Sequence, residues 1–478
     1  MSHRRKEKTD DILPFHQNNH SNHGFTYKPK ATENQNDFLK SQFVKWKILL
    51  ILSVIWILVI HYFERISVRL SMERCQWKNW EGWDKSAQPH RIALIADPQI
   101  VDDSSYQGRP RIINYFVKKI SDNYLHRNYR FLQEYLDPDT TIFLGDLFDG
   151  GRDWKNKMWL DEYTRFNEVF PKKPNRRIIE SLPGNHDIGF ENIDFEVVKR
   201  FAAFFGEANN VIEIGNHSII LLDTISLSSD DPLISKDSTD FLNNLDQRLN
   251  PHFPRVLLTH VPLYRFNDKQ LCGPYRESNK LFPIQKGKQY QTVIEFEISQ
   301  KVLGTVKPDI VFSGDDHDYC DVRYSFDDNG SERFSREITV KSASMTCGIQ
   351  YPAVQLLSLN NPYNLDPQVK LATPKHVTEM CYLPKPYFAL KMYVFLFICT
   401  LLVLASVFFQ GLFDLLRFQQ LKLKRNDDYQ LADNSWRPQK DLIIDNINKK
   451  KNIGGFFANG LILTASIYIL FGIYYSYI

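Results

Sequence analysis

Three almost wholly apolar runs stand out from an otherwise mixed chain, at residues 46–63, 392–413 and 455–475. The first just reaches the roughly 17 residues that a membrane-spanning helix needs, and the other two exceed it. Within the first, the stretch from Ile48 to Phe63 is flanked by Lys45 and Lys47 on one side and by Glu64 and Arg65 on the other. It begins too far into the chain, and lacks the small-residue cleavage site, to be a removable signal, so the pattern predicts a signal anchor. Before it, residues 1–44 are polar with hardly any apolar periodicity. They predict a disordered tail, with Arg4-Arg5-Lys6 as a solvated charge cluster.

Between residues 75 and 388 the pattern changes to short apolar runs alternating with amphipathic stretches. Runs at 91–96, 140–144, 177–182, 255–258 and 309–312 are β-branched or leucine-rich and mostly bounded by breakers, as buried strands are. Helical periodicity covers 109–135, 154–170, 195–205, 239–249 and 291–306. Further strand patterns of antiparallel appearance lie at 217–223, 319–326, 337–342 and 354–359. Together they predict an α/β domain, a mixed two-sheet sandwich with helices outside.

Each of the five principal strand runs leads into a loop rich in metal-binding side chains. The loops read Asp97-Pro98-Gln99, Gly145-Asp146-Leu147-Phe148-Asp149, Gly184-Asn185-His186-Asp187, Thr259-His260-Val261-Pro262 and Gly314-Asp315-Asp316-His317. Turn chemistry alone would account for any one of them, since Asp, Asn and Gly are ordinary turn residues. Five in succession predict a site, with the ligands gathered along one sheet edge at the carboxyl ends of the strands. The glycines before Asp146, Asn185 and Asp315 are expected to let the backbone turn tightly there.

That ordered set resembles the signature of the calcineurin-like metallophosphoesterase superfamily, D-x-H, GDxxDxG, GNH(D/E), H and GHxH, over roughly residues 90–320. Longer stretches, among them HRIALIADPQI, FLGDLFDGGR, SLPGNHDIGF and FSGDDHDYC, are similar to one subgroup of fungal and mammalian enzymes, the phosphodiesterases that remove ethanolamine phosphate from GPI glycans. The resemblance implies two divalent metal ions, Mn²⁺ by preference, with Asp146 bridging them. Asp97 and His317 would complete one site, with Gln99 nearby, and Asn185, His260 and Asp315 the other. His186 matches the position that faces the phosphate, with Asp187 beside it as a second catalytic candidate and Asp149 or Asp187 supporting it or a ligand. Gln99 stands where the superfamily has His, and Asp315 where the last motif has its first His. These two departures are the basis of the alternative reading, an inactive scaffold in cargo sorting or manganese sensing. A third reading keeps the enzyme but gives it a soluble substrate, which three membrane anchors would not serve.

Composition then adds topology and partners. Net charge is only +3, so nothing points to nucleic acid, and the 14% aromatic content suits a membrane protein with interfacial rings. The stretch between the last two apolar runs, 414–453, carries Lys422, Lys424, Arg425, Arg437, Lys440 and Lys449-Lys450-Lys451. Basic segments stay cytosolic, which places the N-terminal tail and this loop on one side and a domain at 75–388 in the lumen. The resemblance then implies an endoplasmic reticulum or early Golgi membrane, and GPI-anchored proteins or GPI lipid precursors as partners. In a lumenal domain Asn216 and Asn329 are sequons, and Cys75, Cys272, Cys320, Cys347 and Cys381 allow up to two disulfides with one thiol spare, buried free thiols being the alternative. The long connection 264–292 after His260 offers Arg276 and Lys288 as contacts for a phosphate or glycan-linked anion, or as a solvated basic loop.

Overall fold

The computed structural model describes residues 43–328, 330–361, 374–409 and 452–476. The tail at 1–42, most of the basic loop, and Asn329 lie outside them.

The chain enters through α1 (Trp46–Arg74), a helix of 29 residues. It runs well past the apolar stretch, and it widens into a π turn at Tyr62–Ile66 where polar residues begin. The domain then builds β1 (His90–Ile95), α2 (Arg111–Phe131), β2 (Thr140–Phe143), α3 (Asn156–Val169), β3 (Arg177–Ile179), α4 (Phe195–Phe205), β4 (Asn210–Ile214), β5 (His217–Leu221) and α5 (Pro232–Asn243). After β6 (Arg255–Leu258) come a small hairpin, β7 (Lys286–Gly287) and β8 (Tyr290–Gln291), then α6 (Phe296–Val306), β9 (Ile310–Ser313), β10 (Cys320–Asp328), β11 (Ser331–Thr339), β12 (Ala353–Leu359) and β13 (His376–Tyr382). Helices α7 (Pro386–Phe408) and α8 (Ile453–Ser476) follow, and like α1 they are long and apolar enough to cross a membrane.

One sheet has the order β13-β12-β1-β2-β3 and the other β10-β11-β9-β6-β5-β4. They pack face to face through a core that includes Ile92, Leu94, Ile142, Leu221, Val256, Leu258, Phe312 and Leu357. The residues between, such as Ala93, Ile95, Phe143 and Leu257, turn outward and are covered by helices. Alternate side chains point to opposite faces of a strand, and here both faces are buried, so these strands read as continuous apolar runs.

Several expectations shift. Strand β5 is parallel to β6 and antiparallel only to β4. Edge strands β4 and β13 escaped the apolar pattern because they are half exposed. The helix expected at 239–249 begins at Pro232, with Asp231 accepting from the Leu233 amide as its cap. That Asp-Pro pair is a start signal visible in the sequence. Helix α6 starts only at Phe296, because Gln291 belongs to the hairpin. Asn216 sits exposed in the β4–β5 turn and donates its amide to Asn361.

Cys75 is bonded to Cys381 and Cys272 to Cys320, which leaves Cys347 as the spare thiol of the central region. The first bridge ties the end of α1 to β13. Glu64, on the same helix, is buried against Arg127 and accepts from Asn123 of α2 at 2.9 Å and from Tyr393 of α7 at 2.9 Å. A buried carboxylate removed from water is stable only when paired and hydrogen-bonded, so this knot holds the apolar helices to the domain in one arrangement. Farther along the bundle, Trp56 donates to Thr400 at 3.2 Å, and Leu52, Leu404 and Leu463 share a core.

Candidate metal centre

The five loops converge, but not on one sheet edge. Asp97, Asp146 and Asn185 follow β1, β2 and β3 of one sheet, whereas His260 and Asp315 follow β6 and β9 of the other. The site therefore lies where the carboxyl ends of two packed sheets face each other, and neither sheet holds it alone.

The centre is built around the imidazole of His260, which is almost wholly buried. Its Nδ1–H donates to the Leu144 carbonyl at 2.7 Å, which fixes the tautomer and aims the Nε2 lone pair into the cluster. Burial lowers the pKa of this ring and keeps it neutral, the form that binds metal. Around Nε2 stand Asn185 Oδ1 at 3.3 Å, Asp146 Oδ1 at 3.4 Å and Asp315 Oδ1 at 3.7 Å. Ligand atoms of Asp97, Asp146 and His260 all lie within 4.8 Å of one another.

The carboxyls are in an environment that calls for a cation. Burial pushes Asp97 and Asp315 well above the usual carboxylate range, and the nearby Asp146 charge adds to it, while His317 opposes it in both. Burial works against Asp146 as well, but His260, His186 and the His186 amide outweigh it and hold its carboxyl below the ordinary value. Asp97 Oδ2 is buried without a hydrogen-bond partner. Four oxygen donors, a neutral imidazole with its lone pair directed inward and an orphaned carboxylate oxygen fit a divalent cation, whose charge would reverse the carboxyls' preference for protons.

Backbone geometry brings these groups together. Asp97, Gln99, Asp146, Asp315 and His317 all have positive φ, between 35° and 68°, a region that non-glycine residues seldom occupy. Strain of this kind gathers at functional sites. The expectation that glycines make the turns is thus corrected at two of the three positions. Gly145 does turn, at φ +90°, but Gly184 and Gly314 serve by having no side chain. A Cβ at Gly184 would lie 2.0 Å from Asp146 Oδ1, and one at Gly314 3.0 Å from Asp97 Oδ1.

The remaining candidates divide. The His186 amide donates to Asp146 Oδ1 at 2.9 Å, and its ring Nδ1 donates to the Asp149 carbonyl at 2.6 Å with the Asp149 carboxylate 3.5 Å away. This leaves Nε2 free on a ring that is part exposed, as expected of a group facing substrate. Asp187 is wholly buried, and its carboxylate accepts from the amides of Leu147, Phe148 and Gly184 at 3.1, 3.0 and 2.9 Å. Its carboxylate is committed to positioning the Asp146 loop; burial first, then Asp146, pushes it up to about 7. Gln99 donates Nε2 to Asp146 Oδ2 at 2.8 Å, and its oxygen accepts from the Cys347 thiol at 3.0 Å, so its link to the cluster runs through Asp146. The contact with Cys347 had no sequence signal.

Arg276 is engaged by Asp316, and Arg265 is buried on Glu337. The 264–292 connection is braced against the domain by these pairs and by Cys272–Cys320. Lys288 remains exposed on the β7–β8 hairpin, whose Gln289 carbonyl accepts from Asn185 Nδ2 at 3.2 Å, so the hairpin tip borders the site. His217 is a buried residue of β5 and His376 belongs to edge strand β13, both remote from the loops.

Comparison with known proteins decides the chemistry. A calcineurin-like phosphoesterase domain model matches residues 90–319. Cell division control protein 1 of Saccharomyces cerevisiae is 50% identical over 356 residues, 73% of this chain and 72% of that protein. The chain belongs to the calcineurin-like phosphoesterases. Metallophosphoesterase 1 of Xenopus laevis is 27% identical over 298 residues, 56% of this chain and 71% of its own. A purple acid phosphatase from yellow lupin seeds aligns with a TM-score of 0.37 at 12% identity, over 64% of this chain and 53% of its own, too distant to bear on the site. As a calcineurin-like phosphoesterase the chain is a hydrolase of phosphate esters that uses divalent metal. The match covers the five loops and both sheets up to Tyr319, while α1, α7 and α8 lie outside it.

Proposed function

We propose that this phosphoesterase is a membrane-anchored, lumen-facing phosphodiesterase that uses two divalent cations to remove ethanolamine phosphate from a mannose of the GPI-anchor glycan. The observation that carries a lipid-linked substrate is the segment Met345–Cys347. The Met345 carbonyl accepts from the Tyr387 hydroxyl at 2.7 Å in the first turn of α7, and the Cys347 thiol reaches Gln99 at 3.0 Å. One short stretch thus touches both an apolar helix and a side chain that is hydrogen-bonded to Asp146 of the metal cluster. In keeping with this, the first turns of α2 expose Ile112, Ile113, Tyr115 and Phe116, while its later turns pack on α1 through Asn123 and Arg127. Rings and aliphatic chains displayed in this way suit a bilayer interface. Confining enzyme and substrate to one membrane raises their effective concentration.

Asp97, His317 and Asp146 would hold one cation, and Asn185, His260, Asp315 and Asp146 the other. Bound there, the cations supply positive charge for the phosphoryl oxygens and acidify water. His186, with Nδ1 committed to Asp149, presents Nε2 to protonate the departing sugar oxygen or stabilise its charge. Two disulfides support an oxidising compartment, and the basic segments support a lumenal domain, in the endoplasmic reticulum or early Golgi. Mass spectrometry of GPI glycans from cells lacking the protein tests the substrate. Extra ethanolamine phosphate is expected, and an unchanged count would sink this assignment.

Metal preference provides a separate test. The proposed ligands include only His260 and His317 as nitrogen donors against oxygens of Asp97, Asp146, Asn185 and Asp315. Zinc favours nitrogen and sulfur, whereas oxygen-rich sites suit manganese. Titrating the metal-depleted protein at fixed pH should give the highest activity with Mn²⁺, and Asp315→His should move both binding and activity toward Zn²⁺. A wild type most active with Zn²⁺, or an unaltered profile in the variant, would remove Asp315 from the ligand set.

A further inference from the structure

A second polar site lies away from the metal cluster, where the apolar helices leave the bilayer. A cavity of about 370 Å³ opens between the end of α1 and the start of α7. Arg74 and Lys385 line it together with Ser67 and Ser71, and among the described residues its lining includes no carboxylate. Arg127 also lines it, but Glu64 already neutralises that guanidinium. Among the described residues the other two cations have neutral partners: Arg74 donates to Ser71 Oγ at 3.3 Å and Lys385 to the Tyr351 hydroxyl at 3.0 Å. Aromatic residues line the cavity beside them. Phe63 and Phe388 meet edge to face at 5.9 Å, and Tyr62, at the π turn of α1, and Phe388, in the first turn of α7, are half exposed.

Two uncompensated cations and two hydroxyls beside rings at a membrane boundary match one class of ligand, a phosphate that carries acyl chains. We propose that this cavity binds the phosphate of an anionic phospholipid, with Arg74 and Lys385 on its charge and the chains beside Tyr62 and Phe388. Soluble phosphate shares the charge but has no use for the rings. A lipid held there would fill the junction between domain and helices next to the Glu64 knot. The inference needs only that α1 and α7 cross a membrane, and it is independent of the substrate proposed above.

Native mass spectrometry of the full chain in detergent, with added phosphatidylglycerol, tests it. Wild type should retain one lipid. Arg74→Gln with Lys385→Gln should raise the dissociation constant, read from a lipid titration, by at least about tenfold, the loss of about 1.4 kcal/mol of binding. Arg74→Lys with Lys385→Arg, which keeps both charges, should retain the lipid and so distinguishes lost charge from lost structure. Glycerophosphoglycerol, the same headgroup without chains, should not displace it. Retention by the glutamine variant, or displacement by the chain-free headgroup, would overturn the proposal. Turnover of bis-p-nitrophenyl phosphate, followed in parallel, reads the metal site alone. Its absence in wild type would count against the proposed function while leaving the lipid result standing.

Discussion

Asp146→Asn is expected to lower turnover of bis-p-nitrophenyl phosphate by on the order of a thousandfold or more. Cations that clamp a phosphoryl group contribute several kcal/mol of transition-state stabilisation, and each 1.36 kcal/mol is tenfold in rate. Asp146 Oδ1 stands 3.4 Å from His260 Nε2 and also receives the His186 amide, so a neutral amide in its place would weaken both proposed cation sites and the loop that carries the proposed acid. Gln99→Ala should cost far less, about ten- to a hundredfold, because Gln99 only donates to the second oxygen of Asp146. Both variants should keep the wild-type circular dichroism spectrum. Equal losses would show that Asp146 does not bridge.

The second large effect is steric. Gly184→Ala would place a methyl group 2.0 Å from Asp146 Oδ1 and 2.3 Å from the Asp146 amide nitrogen, and a backbone atom cannot move aside as a side-chain tip can. The variant should lose stability at or above the upper end of the about 1–3 kcal/mol typical of overpacking. Its divalent-metal content after dialysis should fall with its activity, since the Asp146 carboxylate is the group displaced. Gly304→Ala in α6, where a Cβ meets nothing within 4 Å, is the matched control and should be neutral or stabilising by up to about 1 kcal/mol. Thermal unfolding of the two proteins decides the matter, and a Gly184→Ala protein as stable as wild type would mean that the two loops approach less closely than described.

The contrast between Asp187 and Asp146 shows how far the sequence carries. Both are acidic residues in glycine-initiated loops, and nothing in their neighbours separates a ligand from a brace. Only the folded chain shows that Asp187 turns its carboxylate onto three backbone amides, two in the Asp146 loop and one at the start of its own, while Asp146 turns toward His260. Arg276 is a similar case. It has the charge for a substrate contact, yet Asp316, forty residues on, takes it.

Local patterns were enough to locate most of what is periodic. The three apolar spans, the five strand runs and their loops, and the α/β class follow from hydrophobic periodicity and turn chemistry, which act between near neighbours and are therefore written in consecutive residues. The sequence also determined the ligand types, and the ordered spacing of those types carried the family. What the tertiary structure alone decided depends on pairings between distant residues. It divided the candidate ligands between two sheets, closed Cys75 onto Cys381 across 306 residues and brought Cys347 to Gln99. It also set the left-handed turns at Asp97, Asp146 and Asp315. A residue's φ and the direction of its side chain are fixed by the groups that pack around it, and those groups come from elements far apart in the chain, where no local pattern records them.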